Sequence, residues 1–236
     1  MFNSLSKDWF KRHFNDKKTV AIIGNSPNVL QSMAGEYIDS FDIVCRMNNY
    51  QIKSFEKYIG SKTDIYVTSL SNHPEKTLEE LQKNAIESVF VTRPISKKYS
   101  YNVALGEMLK NFSIVKSFDP VFVSESDFDE LYGKLGLENN ADGINPTSGL
   151  TFIYVLLNNI CFESIYITGF DFFDSKNGLK MHFYKEDTFD HEGIVELTEK
   201  YHPRLNEMRT FRDLVKNNQN VILDQCIQKY VNELGD

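Results

Sequence analysis

A polar segment that opens a long apolar run, Asn145 to Leu150, has the composition of a helix start that could bind an anion. Pro146 disfavours helical backbone at the residue before it, and the hydroxyl of Thr147 or Ser148 can cap the helix by accepting from a backbone N–H one turn on. Gly149 has no Cβ, so a ligand can approach the main chain closely. Free N–H groups, two hydroxyls and the positive end of a helix suit a phosphate. An ordinary capped core helix is the alternative interpretation.

Two polar loops that follow predicted strands offer further binding groups. Asn25 and Ser26 come directly after the apolar run of residues 19–23, and Asn48 follows the run of residues 42–46. Because an Asn side chain carries both donors and an acceptor, it suits the recognition of a ribose or a base. A turn Asn that bonds its own backbone is the alternative. The first loop is not G-x-G-x-x-G, so a dinucleotide fingerprint is not supported.

Apolar strands alternate with helical patterns along the chain, which predicts an α/β fold: a single Rossmann-like domain with a mostly parallel central sheet flanked by helices. The predicted strands span residues 19–23, 42–46, 64–68, 88–92, 121–123, 164–171 and 220–223. The predicted helices span residues 74–85, 103–111, 147–157, 192–215 with a break near His202 and Pro203, and 227–234. We find no repeat and no linker, so residues 19–236 are expected to form one domain.

The first 18 residues are basic and place Trp9, Phe10 and Phe14 at helical spacing on one side. Such a segment can lie in a membrane interface, with aromatic rings in the headgroup zone and lysines near anionic lipid. This predicts a peripheral membrane contact through residues 1–18. The alternative is an amphipathic helix packed on its own domain or on a second subunit.

Composition narrows the class of protein. A net charge of −7 over 236 residues argues against a nucleic-acid partner. Three cysteines without metal-like spacing favour a reducing compartment over a disulfide framework. No apolar run reaches the roughly 20 residues that a bilayer span needs. The triplet Asp127-Phe128-Asp129 could hold a divalent cation, but its acidic surroundings favour a solvated helix start.

Four groups of residues, in this order, resemble the sialylmotifs of glycosyltransferase family 29, the sialyltransferases. The large motif is matched by residues 20–26 and 38–48, the small motif by residues 145–150 and 165–170, the third motif by residues 182–184, and the very small motif, a His and a Glu with four residues between them, by His191 and Glu196. The resemblance covers most of residues 19–196, and the ordered set is far more specific than any single motif.

Two departures from the family pattern are informative. Animal members carry a stem and a membrane span before the first motif, where this sequence has only its basic first 18 residues. They also join the two larger motifs by a disulfide; Cys161 stands at one half of that bridge, but Val20 occupies the other. The bridge therefore cannot form, and the departures indicate a bacterial-type member that works in the cytoplasm.

The resemblance implies the GT-A-like sialyltransferase variant of the fold and a CMP-sialic acid donor. It implies inverting transfer to a hydroxyl of a saccharide acceptor, in a bacterium a surface glycan or glycolipid precursor such as lipooligosaccharide or capsule. His191 is then the general base, with Glu196 as its orienting partner, and His182 donates to the donor phosphate. His202 is the rival base. Neither a metal nor another cofactor is required, since a CMP-sugar has no diphosphate to bridge.

The resemblance and the loop chemistry together give one set of residues for binding CMP: Asn25, Ser26, Asn48, Thr147, Ser148, Gly149 and Tyr184. A transferase that uses CMP-Kdo or another CMP-nonulosonate is the nearest alternative, because these motifs read CMP rather than the sugar. A non-catalytic nucleotide-binding module is the alternative from another class of protein.

Overall fold

The computed structural model describes residues 2–14, 18–70, 76–96, 98, 105–137, 144–173, 182–184 and 202–233. Within them the chain forms a seven-stranded sheet with the order β5-β4-β3-β2-β1-β6-β7. Each pair of neighbouring strands is parallel. The strands are β1 (Thr19–Ile23), β2 (Ile43–Met47), β3 (Ile65–Thr68), β4 (Ser88–Val91), β5 (Pro120–Phe122), β6 (Ser164–Thr168) and β7 (Val221–Leu223). The predicted α/β class is confirmed.

Helices connect the strands and cover the sheet, as parallel pairing requires. They are α1 (Phe2–His13), α2 (Gly35–Asp39), α3 (Glu56–Ile59), α4 (Leu78–Lys83), α5 (Leu105–Val115), α6 (Glu125–Lys134), α7 (Ser148–Asn159), α8 (Arg204–Lys216) and α9 (Gln225–Glu233), with a 3₁₀ helix at Pro27–Gln31. The predicted helix of residues 192–215 is described only from residue 202 onward. Within that part the helix begins at Arg204, directly after the predicted break near His202 and Pro203.

The strands lie close to their predicted positions, and the differences at their ends have a local cause. Asp42 was expected to begin β2, but its carboxylate instead accepts from the backbone N–H and the hydroxyl of Thr19, at 2.8 and 2.9 Å. Asp64 likewise precedes β3 and accepts from the backbone N–H of Val44 at 2.7 Å. Each aspartate thus accepts a hydrogen bond from the backbone N–H of a residue at the start of the neighbouring strand, and it does not form part of the strand that follows it in the chain.

Strand β1 lies between β2 and β6. Strands β2 to β5 follow one another on one side of β1, and β6 and β7 lie on its other side. In open parallel sheets such a switch point opens a crevice at the carboxyl ends of the strands, where ligands bind. Two glycines allow the strand ends to meet there. A Cβ at Gly24 would lie 2.1 Å from the carbonyl oxygen of Gly169, and Gly169 itself has a φ of +77°.

The aromatic side of α1 packs on the protein's own core. Trp9, Phe10 and Phe14 are 1–3% exposed, and the Trp9 ring lies 5.7 Å from that of Phe90 in β4. These rings are therefore not available to a lipid surface while the helix stays docked. No helix of the described residues is both long and apolar enough to cross a membrane.

In addition to this aromatic packing, a buried hydrogen bond holds α1 on the sheet, and it gives a testable prediction. The Trp9 indole N–H donates to the Ser88 hydroxyl at 2.6 Å, and that hydroxyl donates to the carbonyl of Asp119 at 2.9 Å. The substitution Ser88→Ala is expected to lower the free energy of unfolding by about 1–3 kcal/mol, because it leaves the buried indole N–H without an acceptor. Urea unfolding measures it.

The control for this prediction is the same substitution in a Trp9→Phe background. Phe has no N–H to leave unsatisfied, so Ser88→Ala should cost less there than in the wild type. Equal costs in the two backgrounds would contradict the role given to this hydrogen bond.

The acidic triplet at residues 127–129 lies in the first turns of α6, as the helix-start interpretation predicted. Ser124 caps that helix by accepting from the backbone N–H of Asp127 at 3.0 Å, and Asp129 pairs with Lys98. In the part of the chain that the structure describes, no group of three or more His, Cys, Asp or Glu residues could hold a metal ion.

Candidate active site

A cavity of about 370 Å³ lies at the carboxyl edge of the sheet, beside the switch point between β1 and β6. It brings together every predicted site residue that the structure describes: Asn25, Ser26, Asn48, Thr147, Ser148, Gly149, His182 and Tyr184. The predicted base His191 and its partner Glu196 lie outside the described residues. Residues from five strand ends, the tip of α7 and the start of α8 thus share one crevice.

Helix α7 begins as the sequence predicted. The hydroxyl of Thr147 caps the helix by accepting from the backbone N–H of Leu150 at 3.3 Å. The N–H groups of Ser148 and Gly149 belong to the first turn and have no acceptor within the helix. Both residues line the cavity, so an anion there would meet backbone donors and the positive end of a 12-residue helix.

The Ser148 hydroxyl lies against the end of a neighbouring strand. The hydroxyl of Thr92, which directly follows β4, lies 3.2 Å from Ser148 Oγ and 3.3 Å from the carbonyl oxygen of Thr68. A hydroxyl has a single proton to donate, so Thr92 shares it between these two acceptors. The contact therefore positions the Ser148 hydroxyl beside the end of β4.

Position 149 requires a glycine for a reason that the sequence did not reveal. A Cβ at this position would lie 2.3 Å from the ring of Phe170, which comes from the loop after β6. The glycine thus allows the tip of α7 to pack against that loop. Phe170 also lines the cavity, so the ring fixes one wall of the site.

Asn25 and Asn48 reach the cavity from the ends of β1 and β2. The Asn25 amide donates to the carbonyl of Met47 at 2.9 Å, which leaves its Oδ1 buried and without a hydrogen-bond partner among the described residues. Asn48 has a φ of 47°, and its Oδ1 accepts from the backbone N–H of Ser69 at 3.3 Å. One acceptor and one amide group are thus left for a ligand.

Ser26 has a structural role as well as a place in the cavity. Its hydroxyl caps the 3₁₀ helix by accepting from the backbone N–H of Asn28 at 3.2 Å, and its own N–H donates to the carbonyl of Gly169 at 2.9 Å. Ser26 therefore ties the loop after β1 to the loop after β6.

The segment of residues 182–184 is held against the same loop. The backbone N–H of Phe183 donates to the carbonyl of Asn25 at 3.0 Å, and its ring packs on Phe55 with centroids 4.9 Å apart. His182 and Tyr184 flank this anchor, line the cavity and lie 5.4 Å apart by ring centroid. Burial of the middle residue thus presents its two polar neighbours to the crevice.

His202, the rival base, lines the cavity in a defined orientation. Its Nδ1 lies 2.7 Å from the carbonyl oxygen of Asn145, and its ring stacks on Phe173 at 5.7 Å and 6°. Because a carbonyl can only accept, Nδ1 must carry the proton and Nε2 the lone pair. Burial lowers the pKa of His202 to about 4; the Asn145 hydrogen bond opposes the shift and the positive charge of Arg93 adds to it. The ring is therefore neutral at pH 7.

Glu207, one turn into α8, fixes the cap of α7 from the other side. Its two carboxylate oxygens accept from the backbone N–H and the hydroxyl of Thr147, at 2.7 and 2.8 Å. Burial raises the pKa of Glu207 to about 7, although the Thr147 hydrogen bonds and the charge of Arg93 favour its ionised form. Since the Thr147 hydroxyl donates its proton to Glu207, Thr147 shapes the helix tip and has no hydroxyl proton left to donate to a ligand.

Sequence reasoning missed Glu207 and Arg93, although each carried a signal. The spacing of a His and a Glu with four residues between them occurs twice, at His191 and Glu196 and again at His202 and Glu207. Arg93, like Asn25 and Asn48, is a polar residue placed just beyond the end of a predicted strand. Arg93 is the one Lys or Arg among the described residues that line the cavity.

An open parallel α/β sheet, with polar strand-end loops and a helix tip at its switch point, is a Rossmann-like fold, and ligands of such folds bind at this position. The model of glycosyltransferase family 29 (sialyltransferase) matches residues 2–219, and the chain belongs to this family. The match extends beyond the four motifs and includes both α1 and α8.

Individual relatives agree with this assignment. The human CMP-N-acetylneuraminate-β-1,4-galactoside α-2,3-sialyltransferase is 25% identical over 184 residues, which are 70% of this chain and 47% of that protein. A β-1,6-galactosyltransferase of Arabidopsis thaliana is 49% identical over 45 residues, which are 19% of this chain and 11% of that protein. The chain spans about half the length of the first of these relatives.

The same fold occurs in solved structures. The α-2,3-sialyltransferase Cst-I of Campylobacter jejuni superposes with a TM-score of 0.56 at 15% identity, covering 91% of this chain and 79% of that one. At this identity the likeness concerns the fold, which is the Rossmann-like variant expected from the sequence.

Proposed function

We propose that this protein is an inverting glycosyltransferase that moves sialic acid from CMP-sialic acid to a saccharide hydroxyl, without a metal. The observation that carries the proposal is the capped tip of α7, with Ser148 and Gly149 facing a cavity at the switch point of a family 29 fold. The human relative is named for the use of CMP-N-acetylneuraminate, which supports this donor.

The helix tip would hold the donor phosphate. When the bond between the phosphate and the anomeric carbon breaks, negative charge grows on the departing CMP. Backbone donors that are already aimed at that position stabilise the charge without reorganising. Ser148, Gly149 and His182 are the groups proposed for this task, and Glu207 holds the tip in place through Thr147.

The cytidine and its ribose would lie over the ends of β1 and β2. The buried Oδ1 of Asn25, which lacks a partner among the described residues, suits a hydroxyl or amino donor, and the Asn48 amide suits an acceptor. Tyr184 lies beside His182 and would close the same pocket.

A histidine would take the proton from the acceptor hydroxyl as it attacks. The sequence favoured His191, which lies outside the described residues, whereas His202 lines the cavity as a neutral ring with its lone pair on Nε2. The two negative charges of a bound donor would raise the pKa of His202 from its low value in the empty cavity. We therefore propose His202 as the base, with His191 as the alternative.

Donors other than CMP-sialic acid define the second candidate. CMP-Kdo, an octulosonate donor, and CMP-nonulosonates other than CMP-sialic acid offer the same nucleotide, phosphate and carboxylate. The plant relative is named a galactosyltransferase, so the family name alone does not fix the sugar. A non-catalytic nucleotide-binding module would need neither His182 nor His202 as an oriented polar group in the cavity.

The acceptor we propose is an oligosaccharide or glycolipid, in a bacterium a lipooligosaccharide or capsule precursor. The predicted membrane contact through residues 1–18 remains a proposal. With the aromatic side of α1 docked on the core, it would have to use exposed basic side chains such as Lys11.

The test is release of CMP from CMP-sialic acid with and without a galactose-terminated acceptor, in the presence of EDTA. We expect acceptor-dependent release that EDTA leaves unchanged, and thermal stabilisation by CMP through ligand linkage. A panel with CMP-Kdo identifies the preferred donor. Binding of CMP without release in the presence of any acceptor would favour the non-catalytic module.

A further inference from the structure

A donor of the proposed kind carries two anionic groups, a phosphate and a carboxylate, and the proposed function assigns binding residues only to the phosphate. The phosphate would meet the tip of α7, but the sugar of a CMP-nonulosonate also bears a carboxylate on its anomeric carbon. Arg93 is the one Lys or Arg that lines the cavity in the described part of the chain. An arginine guanidinium matches a carboxylate with two parallel hydrogen bonds, a geometry that lysine lacks.

Arg93 stands next to the phosphate position along the edge of the sheet. It follows Thr92, whose hydroxyl lies 3.2 Å from Ser148 Oγ. The side chains proposed for the nucleotide come from the ends of β1 and β2, whereas Arg93 follows β4, which lies two strands beyond β2 in the sheet. A donor with its nucleotide over β1 and β2 and its phosphate at Ser148 would extend its sugar toward Arg93.

The surroundings fix the guanidinium rather than leaving it in solvent. Its central carbon lies 6.0 Å from the centre of the Phe128 ring, which is fully buried in α6. Its positive charge lies close enough to Glu207 and His202 to oppose the raised pKa of the first and to add to the lowered pKa of the second. The carboxylate oxygens of Glu207 accept hydrogen bonds from the backbone N–H and the hydroxyl of Thr147, at 2.7 and 2.8 Å.

We propose that Arg93 binds the carboxylate of the donor sugar and so selects nonulosonate donors over neutral sugars. The proposal rests on the proposed function, since it names the part of the donor that this residue reads. It makes Arg93 a residue that determines specificity, because a galactose donor offers no carboxylate at this position.

Binding affinities for two ligands test the proposal. CMP has the phosphate but no carboxylate, and the 3-fluoro analogue of CMP-sialic acid has both and resists transfer. For Arg93→Gln we expect the affinity for the analogue to fall roughly 10- to 100-fold, the range for a charged hydrogen bond, with CMP affinity nearly unchanged. Arg93→Lys should recover part of the loss. Arg209→Gln, on the exposed side of α8, removes the same charge outside the cavity and should change neither affinity.

The possible outcomes separate this inference from the proposed function. If the wild-type protein binds neither ligand, the proposed function fails. If it binds both, but Arg93→Gln and Arg93→Lys weaken the two ligands equally or leave the analogue unaffected, the carboxylate role is wrong. Retained CMP binding by the variants shows that they are folded.

Discussion

Replacing His202 with alanine is expected to lower the rate of sialic acid transfer by roughly 10²–10⁴-fold, the contribution of a general base. The acceptor hydroxyl is a weak nucleophile until its proton is removed. His202 lies in the cavity with Nδ1 held by the carbonyl of Asn145, so its Nε2 is the nitrogen that can accept the proton. CMP affinity should stay close to that of the wild type, since the nucleotide contacts come from other residues.

The matched variant is His191→Ala, because the sequence pattern favoured that histidine. Transfer rate and CMP affinity are measured for both proteins under saturating donor. Should His191→Ala abolish transfer while His202→Ala does not, the base is His191 and the cavity wall formed by His202 serves only binding or packing.

The pH profile distinguishes the two histidines further. A base acts in its neutral form, and the value of kcat/KM falls where the free enzyme protonates it. With His202 the fall is expected well below pH 6, because burial lowers its pKa to about 4. A histidine with an ordinary pKa near 6.5 would lose activity close to that pH.

The elements of the fold were predictable from the sequence because their signals are local. Thr19–Ile23 is a continuous apolar run followed by a turn, and it forms β1 with the predicted limits. Thr147 caps α7 as its sequence position suggested. Strand order, by contrast, results from packing over long sequence separations, and nothing within Val221–Leu223 indicates that it pairs with β6.

A site residue could be predicted from the sequence where its type and its position in a local element were enough to identify it. Asn25 and Asn48 were identified in this way and Ser148 by its place at a predicted helix start, and all three line one cavity. Glu207 was not, because a Glu within an amphipathic helix is normally an exposed residue. That Glu207 is buried and hydrogen-bonded to Thr147 is visible only in the tertiary structure. Of the two matches to the His and Glu spacing, the structure describes only His202 and Glu207, and both of these residues line the cavity.

The buried carboxyl group of Glu207 should make stability depend on pH. In the folded protein its pKa is about 7, against an ordinary value of 4.5, because burial disfavours the charge. Between these two pKa values the folded state holds a proton that the unfolded state has released. Stability is therefore greatest below pH 4.5 as far as this group is concerned, and it falls as the pH rises toward 7, by on the order of 3 kcal/mol.

Glu207→Gln removes this loss, since glutamine stays neutral and can still bond the Thr147 N–H and hydroxyl. We expect the variant to be more stable than the wild type at pH 8, by on the order of 2–3 kcal/mol, with the difference small at pH 5. Urea unfolding at both pH values measures it, and Glu163→Gln, at an exposed position, should show no such trend. The shift of His202 is common to all three proteins and cancels in the comparison. A stability difference that is the same at pH 5 and pH 8 would mean that Glu207 is ionised throughout, held as a charge by Arg93 and the tip of α7.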